Sequence, residues 1–403
     1  MELLSPAGNM ERLETAFYYG ADAVYLAGRS FGLRAFADNF DAQGLETAVS
    51  RAHSLGKKAY IASNIFLREG DIAPFKEYLN FLAQIKADGI IIADLGGARL
   101  AKTLCPELPL HISTQFNAMN HLTALTLRDL GASRIILARE LSLDEIKKIR
   151  DNIPDSLELE CFVHGAMCMA YSGRCLLSSF LTGRQANRGE CAQPCRWEYY
   201  LMEKQRPGEY MPITEDARGT YILNSRDLCM IEHLSQLSSA GINSIKIEGR
   251  MKTAYYTAVV TNAYRRALNL MEQGKPFEPA LKEELLKASN RDFTTGFYFG
   301  NPLSEGQRPQ SGKCVQSYEF SALCLGCDGA HAILEQRNRI EKGDILEILS
   351  PNNYFQSTVK AERILDMENN ELECADKVQQ IIKLPCALPL SKNDILRKRI
   401  SEK

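Results

Sequence analysis

The sequence lacks most of the features that would assign it at a glance. No run of about 18 apolar residues occurs, so no membrane-spanning helix is expected. The opening residues, MELLSPAGNMERLETAF, show no basic leader, no long apolar stretch and no small-residue cleavage site, so a secretory signal is not expected. The reducing cytoplasm is the expected compartment, and structural disulfides are rare there. Charge of one sign is missing too: 48 Lys and Arg stand against 50 Asp and Glu, a formal net charge of −2. No overall field points to nucleic acid or membrane, although a local basic face is compatible with a neutral total. No G-x-G-x-x-G follows a strand and no G-x4-G-K-[ST] exists, so a nucleotide cofactor is not indicated. H-E-x-x-H and any Ser-His-Asp order are absent as well, which leaves no recognisable protease machinery. Low-complexity tracts are lacking.

What is present is a regular grammar. The 403 residues, 45% apolar, suffice for a sizeable core and suggest two domains. Short apolar segments, ELLSPAG, ADAVYLAG, KAYIASNIF, GIIIADLG, LHISTQFN, SRIILARE, LELECFVHG and NSIKIEGR, alternate with helical patterns over the first 250 residues. Leu45, Ala48, Val49 and Ala52 keep helical spacing, Asn9 is a plausible N-cap, and Ser142 with Glu145 has capping-box spacing. Gly20, Gly56, Gly131 and Gly241 fall where helices should stop. Eight such strands, apolar enough to be buried on both faces, predict an α/β fold, a (β/α)8 TIM-barrel-like domain over 1–300; a doubly wound sheet is the competing fold. Strands seven and eight are separated by an insertion at about 165–242, and the tail, 301–403, reads as a small β-barrel-like domain.

Twelve cysteines occur, and four of them lie within HGAMCMAYSGRCLLSSFLTGRQANRGECAQPC, from His164 to Cys195, with Cys229 further on. The flanking residues are Gly, Ser, Arg, Gln and Pro, unlike the aliphatic surroundings of core thiols, a reading that suits Cys105, Cys161 and Cys386 better. Zinc sites show close cysteine pairs, and only Cys191 and Cys195 are that close here. An iron–sulfur cluster accepts more dispersed thiolates. A Cys168–His164 nucleophile pair is a further option, although no orienting acid is evident. Spacing alone leaves cluster, zinc and redox or packing thiols open. CLGC at Cys324 is a single C-x2-C pair and reads as incidental.

Polar residues gather at the carboxyl ends of the strands: Ser5, Asn64, Asp94, Thr114, Gln115, Asn117, Arg139, Glu140, His164, Lys246, Glu248 and Arg250. Catalytic groups of a (β/α)8 barrel come from such positions, although a single polar residue there is commonly a loop anchor. His164, Lys246, Glu248 and Arg250 are the candidate catalytic groups. Asn64, Gln115, Asn117, Arg139, Arg174 and Arg188 are the candidate substrate-binding groups, the arginines because guanidinium holds carboxylate or phosphate in bidentate fashion. Arg34, Arg184 and Arg196 lie in the same regions, and some of these arginines will simply pair with surface acids.

LLSPAG, YGADAVYLAG, ADNF, ECFVHGAMCMAYSGRCLLS, NRGECAQPCRW, INSIKIEGR and NRDFTTGFY together resemble the collagenase-like unclassified peptidase family thirty-two, over most of the chain. The branch they look most like is the tRNA 5-hydroxyuridine synthases. That resemblance implies a prephenate-dependent hydroxylation of the wobble uridine, which must be exposed in the tRNA anticodon loop. A related ubiquinone-hydroxylating branch holds a 4Fe-4S cluster on four cysteines. Carried over by position, these are Cys168, Cys175, a cysteine of CAQPC (Cys191 favoured over Cys195) and Cys229. The resemblance also admits other readings: a peptidase, as the family name says, or a cluster-bearing subunit that acts with a paralogous partner on rRNA or a quinone precursor.

Overall fold

The structure, a computed structural model, describes residues 1–403 apart from 34–37, 169–170, 172–174, 185, 187–188, 195–196, 198–200, 203–209, 212–224, 303–314, 353 and 401–403. Seven parallel strands come first: β1 (Glu2–Pro6), β2 (Ala23–Leu26), β3 (Lys58–Ser63), β4 (Gly89–Ile92), β5 (Leu110–Ile112), β6 (Ala132–Ile136) and β7 (Glu158–Ala166). After β8 (Asp227–Cys229), β9 (Ser244–Ile247) pairs in parallel with both β7 and β1, which closes an eight-stranded barrel. All eight segments expected from the sequence are its staves. β8 is an addition, antiparallel on the overhanging end of β7, where the insertion returns to the barrel.

The helices start and stop where the side chains dictate. In α1 (Met10–Tyr18) the Asn9 side chain accepts a hydrogen bond from the Arg12 N–H at 3.0 Å. α2 (Ala42–Ser54) buries Leu45, Ala48, Val49 and Ala52 against the strands. α3 (Ile72–Gln84), α4 (Leu95–Leu104) and α5 (His121–Asp129) follow, and α6 (Leu143–Arg150) opens with the Ser142–Glu145 capping box. The insertion carries α7 (Leu177–Thr182), and α8 (Leu234–Ser239) precedes β9. α9 (Ala254–Glu272) is the longest helix described, and α10 (Ala280–Leu285) packs beside it.

The tail forms an antiparallel sheet of eight strands, from Tyr318–Asp328 to Ile395–Arg399, with a core of its own that includes Leu334, Leu346, Ile348, Ile382 and Leu396. It rests on the barrel through Leu349 and Ile395, which join the barrel's hydrophobic core, and through a buried ion cluster. Arg397, wholly buried, holds Glu284 Oε2 with Nη2 at 2.8 Å and Glu347 Oε1 with Nε at 3.0 Å.

Candidate active site

Alternation along parallel strands sends every second residue into the barrel. The inward row near the amino ends is unusually ionic. Glu2, Tyr60, Arg134, Glu160 and Ser244 meet there: Arg134 Nη1 lies 2.7 Å from Glu2 Oε1 and 3.1 Å from Glu160 Oε2, and Tyr60 donates to Glu2 at 2.7 Å. Burial would raise the Glu2 carboxyl, but the Arg134 guanidinium outweighs it and holds the group below its ordinary value. His111, in the same row, is buried and beside Arg134, and both effects keep it neutral. Glu160 passes charge upward, since its Oε1 accepts from Lys246 Nζ at 2.9 Å. Lys246 is 4% exposed and sits 4.4 Å over the Tyr25 ring.

Above Lys246 the barrel opens into a cavity of about 1010 Å³ including its mouth. Asn64, Gln115, Arg139, Lys246, Glu248 and Arg250 line it, together with Tyr25, Phe162 and Tyr171. Tyr25 donates to the Ile247 carbonyl at 3.0 Å and to Glu248 Oε2 at 3.3 Å. Arg139 stacks its guanidinium 4.3 Å over Phe162 and donates through Nη1 to the Ala166 carbonyl at 2.7 Å, while its buried Nε has no partner among the described residues. Cys168, Cys175 and Cys191 line the same cavity from the insertion. Cys168 and Cys175 are exposed, Cys191 is half-buried, and the Gln193 N–H donates to the Cys191 sulfur at 3.4 Å.

Nine of the fourteen candidate residues therefore meet at one mouth. Asn117 does not; it takes a left-handed conformation, φ 53°, and its side chain caps the Thr114 carbonyl at 3.2 Å. Arg174 and Arg188 lie outside the described residues, as do Arg34, Cys195 and Arg196. His164 and Cys229 are placed behind the barrel wall, and one irregularity accounts for both. Lys246 pairs with Phe162, but Ile247 pairs with His164, so Val163 is an extra residue in β7. This bulge inverts the alternation. Phe162 faces the cavity, whereas His164 faces α9, where Tyr264 and Tyr256 pack at 5.5 Å and 6.0 Å between ring centroids. Cys229 pairs with His164 and follows it outward, 3.9 Å from the Tyr264 hydroxyl. Burial lowers His164 to about 4 and raises Cys229 to about 11.

Three soft sulfur ligands on one accessible mouth, one already receiving an N–H, suit iron–sulfur ligation. Among the described residues, however, no three His, Cys, Asp or Glu side chains converge on one point, and Cys229 faces away from the other three. Tyr25, Phe162, Arg134 and Glu160 were not among the candidates. The legible signal for Glu160 was Glu158, Glu160 and Phe162 alternating in an otherwise apolar strand.

The model of peptidase family U32 matches residues 8–308, and that of the family's C-terminal domain matches 316–397. The chain is 37% identical over 403 residues to the tRNA hydroxylation protein P of Escherichia coli strain K12, covering 89% of this chain and 88% of that protein. It is 36% identical over 403 residues to the tRNA hydroxylation protein P1 of Bacillus subtilis strain 168, covering 98% and 94%. It is also 37% identical over 269 residues to the 23S rRNA 5-hydroxycytidine C2501 synthase of Escherichia coli, covering 67% of this chain and 39% of that protein.

Proposed function

The chain belongs to peptidase family U32, and from that premise we propose that it is an enzyme of tRNA hydroxylation. The observation that carries this reading is its likeness, over nearly its whole length, to proteins named for that activity. The finer assignment is oxidation of the wobble uridine at C5 with prephenate as co-substrate. It is supported by an open cavity at the carboxyl ends of the strands, lined by the aromatic rings of Tyr25 and Phe162, where an extruded base would stack. That mouth also carries Arg139, Lys246 and Arg250, cations suited to a dicarboxylate. A paralogous partner subunit would be needed only if the purified chain failed alone.

The cofactor we propose is a 4Fe-4S cluster held by Cys168, Cys175 and Cys191, with Cys229, which in this structure faces Tyr264 and not the cavity, as fourth ligand; zinc on the same thiols is the alternative. A bound cluster would supply one-electron redox chemistry at the mouth. The chain's own residues would bind and orient: Glu160 fixes the Lys246 ammonium, Tyr25 holds the Glu248 carboxylate, and Phe162 supports the Arg139 guanidinium.

The word peptidase finds no support at this site. Cys168 is on the cavity and His164 is sealed among aromatic rings, so Cys168 and His164 form no nucleophile pair. The test is nucleoside analysis of tRNA from a strain lacking the gene. Loss of 5-hydroxyuridine derivatives, restored by the wild-type gene but not by Cys175→Ser, is expected. Unchanged levels in a strain with no second family member would refute the proposal.

A further inference from the structure

The cavity has two unlike halves. Arg139 lies past β6, and Lys246 and Arg250 lie in and past β9, whereas the described residues of the half built by β3 and β5 carry no charge and present two amides, Asn64 and Gln115. Gln115 is 3% exposed. Amide orientation is ordinarily ambiguous, but here a backbone group resolves it. The Leu33 N–H can only donate, and it reaches Asn64 Oδ1 at 3.2 Å. That leaves Asn64 Nδ2 to donate to Gln115 Oε1 at 2.9 Å, where the Ser113 hydroxyl also donates at 3.3 Å. Gln115 Nε2 is then a buried donor with no partner among the described residues, on a side chain that lines the cavity. A buried amide donor without a partner is costly, so a fixed one lining a cavity marks where a substrate acceptor belongs.

We propose that Gln115 Nε2 reads the O4 carbonyl of a uracil base in this cavity and that Asn64, as a positioning residue, sets the direction of that hydrogen bond. The inference rests on the tRNA reading above and adds the atom that chooses the base. A carboxylate would be drawn to the cationic half instead, and a single neutral donor suits a neutral carbonyl. O4 is the informative atom. Uracil carries an acceptor at C4 and cytosine an amino donor, whereas O2 is common to both. Cytosine in the same pose would set donor against donor and leave two buried N–H groups unsatisfied.

The relay makes a test possible without touching Gln115. In Asn64→Asp the carboxylate can still accept from Leu33, but its second oxygen can only accept. Gln115 would turn Nε2 toward it and show Oε1 to the cavity, converting a donor into an acceptor. The measurement is the affinity of the full chain for two anticodon stem-loop RNAs that differ only by uridine or cytidine at the wobble position. Wild-type protein is expected to favour uridine about tenfold, the worth of one buried hydrogen bond. Gln115→Leu is expected to erase the preference and Asn64→Asp to erase or reverse it, with thermal midpoints confirming that both variants fold. Equal wild-type affinities overturn the inference, as does a preference that survives both substitutions. Binding of neither RNA would instead remove the tRNA reading itself, and this inference with it.

Discussion

At the scale of single residues, the three cavity cysteines matter most. They are accessible where core thiols such as Cys161 are not; burial raises Cys161 to about 12, which makes it a poor ligand and an inert thiol. Cys229 starts from a similar disadvantage, and ligation to iron would have to outweigh its burial and its contact with Tyr264. Full-length protein purified without oxygen is expected to carry about four irons and four sulfides per chain. Cys175→Ser and Cys229→Ser are each expected to lose most of that iron. Full iron in Cys229→Ser would place the fourth ligand elsewhere, and a colourless protein containing zinc would replace the cluster outright.

At the scale of elements, the strands and helices were legible because their signals are local. Short apolar runs, Asn9 and Ser142 as caps, and Leu45, Ala48, Val49 and Ala52 on one helical face all act over a few residues. The mouth was legible for the same reason: Asn64, Gln115, Arg139, Lys246, Glu248 and Arg250 lie at or just past strand ends in the sequence itself. The bulge at Val163 was not, because it is a mismatch of register between β7 and β9, segments more than 80 residues apart. Strict alternation from Phe162 would have sent His164 inward, and only the pairing shows otherwise. The interior ion row was also hidden, since Glu2, Arg134 and Glu160 meet only when the barrel closes. The bulge continues into Gly165, whose φ of 103° disfavours any side chain and whose added Cβ would lie 2.4 Å from the Glu248 carbonyl oxygen. Gly165→Ala is therefore expected to cost about 1–3 kcal/mol in denaturant unfolding and to lower tRNA hydroxylation by displacing Glu248. Wild-type stability and activity in that variant would show that the turn tolerates a side chain.

At the scale of the whole molecule, the small domain is fixed rather than tethered. Arg397 from its last strand is locked between Glu284 of α10 and Glu347, Tyr19 of the barrel donates to the Leu349 carbonyl at 2.9 Å, and Asn262 of α9 donates to the Ser350 carbonyl at 3.2 Å. Losing one partner of such a buried pair typically costs about 3–5 kcal/mol, so the two domains should present one rigid surface to a macromolecular substrate. A preformed surface held in fixed relation to a mouth that holds thiols, amides and cations suits modification of one base in a folded RNA. The most direct measurement is therefore made on the complete protein. Full-length chain purified without oxygen is incubated with unmodified tRNA and prephenate, and the digested nucleosides are weighed by mass spectrometry. The expected result is a uridine carrying one added oxygen atom, formed by wild-type protein and not by Cys175→Ser. Iron-loaded protein that leaves every uridine unchanged, with tRNA bound and prephenate present, would contradict it.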